Sequence, residues 1–92
     1  MLSAIVLINA DVDSIPEVAS AIADLEGVDV VYSVTGDIDL VALVRVRQHE
    51  DLAEVVSNRM GKVPGIRQMR THIAFRSFAS ADLEEAFHIG LG

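Results

Sequence analysis

The residues best placed to do chemistry lie in one short stretch, Thr35-Gly36-Asp37-Ile38-Asp39. Gly-Asp is an ordinary hairpin loop, and a two-residue turn accounts for Gly36 and Asp37. It does not account for Asp39, one residue into a run that is otherwise apolar and where Asp is disfavoured. A carboxylate at a strand end near an interface can hold an ammonium. The free backbone amides of a glycine turn can hold a carboxylate. The two together match a zwitterion such as an amino acid, which makes this turn a candidate binding site rather than a catalytic one.

The other reactive side chains form no comparable group. His49, His72 and His88 share no helix-face or strand spacing, and no carboxylate pairs with them at ligand spacing, so no metal site is expected. Asp11 and Asp13 read as a turn and a cap, and Glu84 and Glu85 as a solvated helix face. Arg67, Arg70 and Arg76 could bind an anion, but a strand balanced against acidic neighbours explains them better. There is no glycine-rich phosphate loop, and no serine has a nucleophile-elbow context. No cofactor is called for.

Composition narrows the partners. The chain has 92 residues, enough for one modest domain. Half of it (51%) is hydrophobic, with one Tyr, three Phe and no Trp, so the core must be aliphatic. So small an interior cannot hide that much apolar surface, and the excess points to a subunit interface. A net charge of −7 without a basic stripe argues against direct nucleic-acid binding. The absence of cysteine excludes disulfides, thiolate metal sites and cysteine nucleophiles. The apolar start, Met1 to Ile8, has no preceding cation and breaks at Asn9. It is too short to span a membrane and unlike a signal peptide, so a cytoplasmic location is expected.

These candidates need a scaffold. Residues 2 to 10 are apolar on both alternating sets, as in a strand buried on both faces. A helix is expected from Ser14, where Ser14-Ile15-Pro16-Glu17 has the capping-box pattern, with Val18, Ala19, Ile22 and Leu25 on its apolar stripe. Gly27 is suited to its C′ position. Val28 to Thr35 and Ile38 to Arg47 alternate as two strands, and a Gly36-Asp37 turn would make them antiparallel neighbours. A second helix is expected from His49 to Met60 with Leu52, Val55, Val56 and Met60 on its stripe. A long last strand runs from Ile66 to about Phe78, and a short third helix follows, capped by Ser80 and ending near Gly90. Leu25-Glu26-Gly27-Val28 and Val63-Pro64-Gly65-Ile66 echo one another at the two helix exits.

Two βαβ-like halves make the α+β, ferredoxin-like βαββαβ fold, with both helices on one face of a four-stranded antiparallel sheet. Residues 1–78 would be the domain and 79–92 its helical tail. The other sheet face, carrying residues such as Val41 and Leu43, would be left bare, so a dimer with sheets packed face to face is expected.

Two segments carry a family resemblance. Val34-Thr35-Gly36-Asp37-Ile38-Asp39-Leu40 resembles the V-T/S-G-D-aromatic-D-L/Y turn of the Lrp/AsnC transcription regulators. Val63-Pro64-Gly65-Ile66 followed by Arg70-Thr71-His72-Ile73 resembles their final strand, L-P-G-V followed by T-x-T-x-I/V. The match runs from about residue 2 to 78 and looks like the effector-binding half, without the helix-turn-helix.

The resemblance implies a dimeric α/β barrel, a ligand cleft where dimers meet, and amino acids as effectors. By position, Gly36, Asp37 and Asp39 would hold the ligand's charged ends and Thr71 would add a hydroxyl, with Thr35 and Ile38 completing the loop. Ile38 departs from the pattern, standing where an aromatic is common. The expected protein is a non-enzymatic regulatory module, a homodimer or higher homo-oligomer, with full-length relatives as further partners in mixed assemblies. The dimeric αβ-barrel monooxygenases share the fold but need a polar or aromatic cavity. An ACT-type amino-acid domain would place its site at Asp11 to Glu17, which lacks the glycine that lets a ligand approach.

Overall fold

A computed structural model describes residues 1–80. The elements are β1 (Leu2–Ala10), α1 (Ile15–Ala23), β2 (Val28–Ser33), β3 (Leu40–Val46), α2 (His49–Ala53) and β4 (Ile66–Ile73). The strands form one antiparallel sheet in the order β2-β3-β1-β4. This is the expected ferredoxin-like α+β arrangement, and the expected third helix falls outside the described residues.

Strand alternation decides what is buried. Ala4, Val6, Ile8 and Ala10 of β1 and Leu40, Ala42, Val44 and Val46 of β3 all point to one face. They pack with Val18 and Ile22 of α1, Leu52 of α2, and Val55 and Met60 beyond it. Both helices therefore cover the same side of the sheet. The intervening residues form the opposite face, in rows that cross all four strands. One row is Tyr32-Val41-Leu7-Arg70 and the next is Val30-Leu43-Ile5-His72. No described element lies over them: Ile5 is 39% exposed and Tyr32 52%.

The internal echo has a packing reason. Gly27 and Gly65 both have φ of +98°, a backbone conformation that side chains rarely adopt. A Cβ on Gly27 would lie 2.8 Å from Val55, beyond α2, and one on Gly65 would lie 2.8 Å from Val18 of α1. Each half's glycine thus receives the other half's helical segment at close range.

Several boundaries differ from expectation. The capping box does not form. Val12–Ser14 is a 3-10 turn closed by the Ser14 N–H donating to the Asp11 carbonyl, and the Ser14 side chain makes no cap bond to α1. The second helix keeps its apolar stripe but changes pitch, passing from α2 through a π-type stretch, Glu54–Arg59, to a 3-10 turn, Met60–Lys62. In β2 a bulge between Val28 and Val30 shifts the register, so Val28 faces the helices while Val30 and Tyr32 face the open side. The last strand stops at Ile73, five residues early. The β1–β4 pairing ends there: Ile73 pairs with Ala4 and the Ala74 N–H reaches the Ser3 carbonyl, one residue short of the start of β1 at Leu2.

Candidate functional site

The connection between β2 and β3 is wider than a two-residue turn. β2 ends at Ser33 and β3 begins at Leu40. The Val34 N–H donates to the Asp39 carbonyl (3.1 Å), which leaves Thr35, Gly36, Asp37 and Ile38 as the loop beyond that pair. Gly36 has φ of +111°, and an added Cβ would meet nothing within 4 Å. Glycine is needed there for the backbone conformation alone, not for a close approach.

Asp39 has a structural task that sequence reasoning missed. Its N–H donates to the Ile8 carbonyl (3.0 Å), and its Oδ2 accepts the N–H of Ala10 (2.9 Å). The β1–β3 pairing ends at Ile8 and Leu40. Asp39 therefore extends the ladder by one rung made from its side chain. This is why a carboxylate interrupts an apolar run, and it explains why β3 does not begin at Ile38. Asn9, also missed, anchors the loop from β1: its Nδ2 donates to the Asp37 carbonyl (2.8 Å). A polar residue at the end of an otherwise apolar strand was the available signal. Thr35, Gly36 and Asp37 are exposed, while Ile38 and Asp39 are half-buried.

Thr71 is not brought to this loop within one protomer. It lies opposite Val6, which lies opposite Ala42, three residues beyond Asp39. That separates Thr71 from Asp39 by about 10 Å along the strands and about 10 Å across them. Pairing with Val6 also sets Thr71 on the helix side of β4, a sheet-edge strand, where it is exposed. Arg70 and His72 occupy the open side.

A cleft of about 320 Å3 lies at the other end of the sheet, beside the end of β3, with Gly27, Val46, Arg47, Glu54 and Arg59 among its lining residues. None of the candidate ligand-binding residues (Thr35 to Asp39 and Thr71) lines it. Among the described residues, no group of His, Asp or Glu could hold a metal ion, and no helix is long and apolar enough to cross a membrane.

Comparison with known proteins accounts for this architecture. The family model of the Lrp/AsnC ligand binding domain matches residues 3–83. A helix-turn-helix-type transcriptional regulator of Pyrococcus furiosus is 34% identical over 73 residues, 79% of this chain and 49% of that one. The chain spans about half or less of the length of the curated relatives it matches. A solved structure from Thermus thermophilus is 40% identical with a TM-score of 0.82, covering 87% of this chain and 100% of that one. A Mycobacterium tuberculosis feast or famine regulatory protein, solved in complex with L-methionine, is 29% identical with a TM-score of 0.69, over 88% of this chain and 54% of that one. With its sheet order, its glycine loop and a family match over most of its length, the chain belongs to the Lrp/AsnC ligand binding domain family.

Proposed function

We propose that this domain is a cytoplasmic regulatory module that binds a small amino-acid-like metabolite where its copies meet. The observation that carries this reading is the built position of Asp39. Bonding to Ala10 fixes one carboxylate oxygen at the sheet end, beside the exposed Gly36 loop. In the proposed complex Oδ1 of Asp39 takes the ligand's ammonium, and amides of the Thr35 to Ile38 loop take its carboxylate. The L-methionine complex of the M. tuberculosis relative supports the ligand class. Two charge-assisted contacts of about 1.5–3 kcal/mol each correspond to millimolar to tens-of-micromolar affinity.

Two contacts between copies follow from the sheet. The bare face, with Ile5, Leu7, Val41 and Leu43, packs on the same face of a second copy. Thr71 lies on the other side of the sheet, at the β4 edge. A copy that brings Asp39 close to Thr71 therefore approaches along that edge, so a site containing both residues needs an assembly larger than the face-to-face pair. Ligand that binds only this assembly stabilises it. Full-length family members could enter the same contacts.

Calorimetry with a panel of amino acids tests the reading on wild type, Asp39→Asn and Thr71→Val. Asn keeps an acceptor for the Ala10 N–H and removes the charge. Both variants should bind at least about tenfold more weakly, the loss of one good polar contact. Unchanged affinity in Asp39→Asn would remove the residue from the site. The relatives are transcription regulators, and the module is read as non-enzymatic. Turnover of haem or quinol, followed by visible absorbance, would overturn that.

A further inference from the structure

The cleft beside the end of β3 carries charges of both signs around an apolar lining supplied by Val46 and Val55, both buried. Glu54 and Arg59 line it from the two ends of the π-type stretch, with Asp51 before them on α2 and Arg47 just past β3. The change of helical pitch is what brings Glu54 and Arg59 to one cleft. In an α-helix five residues turn through about 500°, leaving such a pair about 140° apart. The i→i+5 bonding of a π pitch returns them to nearly the same side. None of these groups is fully used within the described chain. Glu54 Oε2 accepts from Asn58 Nδ2 (2.7 Å), which leaves Oε1. Arg59 Nη1 donates to the Glu26 carbonyl (3.0 Å), which leaves the rest of its N–H fork. The Arg47 and Asp51 side chains have no hydrogen-bond or ion-pair partner among the described residues.

We infer that this cleft is a second ligand site, for a zwitterion whose opposite charges stand about 7 Å apart, as at the two ends of a dipeptide. Asp51 and Glu54 take its ammonium, and Arg47 and Arg59 take its carboxylate, in charge-assisted bonds. The spacing follows from the helix: five residues at about 1.5 Å rise each separate Glu54 from Arg59 by about 7 Å. Two extended residues span the same length, about 7 Å. A single α-amino acid carries both charges on one carbon and cannot reach both ends. Val46 and Val55 favour an apolar side chain between the charges. The volume of about 320 Å3 falls within the roughly 300–1,000 Å3 of small-molecule sites. This site is separate from the Asp39 loop and does not depend on it. β3 leads from one to the other, about 20 Å from Leu40 to Val46.

Calorimetry on the wild-type chain with L-alanyl-L-valine, its N-acetyl and C-amide derivatives, 6-aminohexanoate and L-valine tests this. The free dipeptide is expected to bind, and each blocked form to bind at least about tenfold more weakly, through loss of one charged contact. Binding of the dipeptide assigns the site to peptides, and binding of 6-aminohexanoate alone assigns it to ω-amino acids of the same charge spacing. No binding by either, or equal binding by a blocked form or by L-valine, overturns the inference. Glu54→Gln keeps an acceptor for Asn58, and Arg47→Gln removes a charge without a partner, so both variants should fold as wild type. Each should weaken binding of the elongated zwitterion about tenfold. Unchanged affinity in both overturns the site. Amide shifts on titration, followed by NMR, should centre on Gly27, Glu54 and Arg59. Shifts centred on Gly36 instead would overturn this second site and leave the Asp39 loop standing.

Discussion

The two faces of the sheet come from the same strands and nearly the same residue types, yet the described residues cover only one. On the helix side Val6, Ile8, Leu40 and Ala42 are all 0% exposed. On the open side their immediate neighbours Ile5, Leu7, Val41 and Leu43 pair just as regularly, and Ile5 keeps 39% of its surface in solvent. Among the described residues, two helical segments supply one layer of cover and no more. A strand that is apolar on both faces reports that two covers are needed, not where the second one comes from.

Adjacent residues of β1 give the hardest test of that difference. Val6→Asp places an unpaired carboxylate in the dry core, at a cost on the order of 5 kcal/mol or more, comparable to the whole stability of a small domain. Circular dichroism should show it unfolded. Leu7→Asp, one residue on, should keep the monomer fold within about 1 kcal/mol and abolish self-association in sedimentation. If both unfold, the open face is not separable from the core. If Leu7→Asp still dimerises, the faces do not meet.

The glycines contrast in the same way. Gly65→Ala must accept φ of +98° and a contact of 2.8 Å with Val18, on the helix side. Chemical denaturation should show a loss of about 2–3 kcal/mol. Gly36→Ala carries the backbone strain without the collision and should lose about 1 kcal/mol. Equal losses would mean that close helix packing contributes nothing at Gly65.

At the sheet end, Asp39→Ala leaves the Ala10 N–H without its acceptor and should cost about 1–2 kcal/mol in urea unfolding, while Asp39→Asn should recover most of it. The smallest effect is expected on the open side. The Arg45 Nε to Asp29 Oδ2 pair, at 3.0 Å, joins two half-exposed side chains. Arg45→Ala should shift monomer stability by no more than about 1 kcal/mol, and added salt should erase the shift.

Much of this was legible beforehand, and the misses have physical causes. Gly27 and Gly65 were legible because no other residue combines a helix exit with positive φ. The stripes Val18-Ile22 and Leu52-Val55-Met60 were legible because a helix buries one side. The β2 bulge was not, because alternation within β2 alone cannot reveal an extra residue opposite β3. The early end of β4 was not, because a strand's length is set by its partner. Asp39 was marked as odd for the right reason, a carboxylate in an apolar run. Its bond to the Ala10 N–H joins residues 29 apart in sequence, and only the fold brings them together.

The amino-acid sequence by itself determined the element order, the two-half architecture and the residues of the core. Those depend on periodicity, on turn chemistry and on which side chains avoid water, all local properties of the chain. Tertiary structure alone decided that Asp39 completes the β1–β3 ladder, that Asn9 anchors the loop, and that Thr71 lies on the far side of the sheet from Arg70. Each of these is a matter of register between strands distant in sequence. Register is set by how the whole sheet packs, because a shift of one residue turns every side chain to the other face.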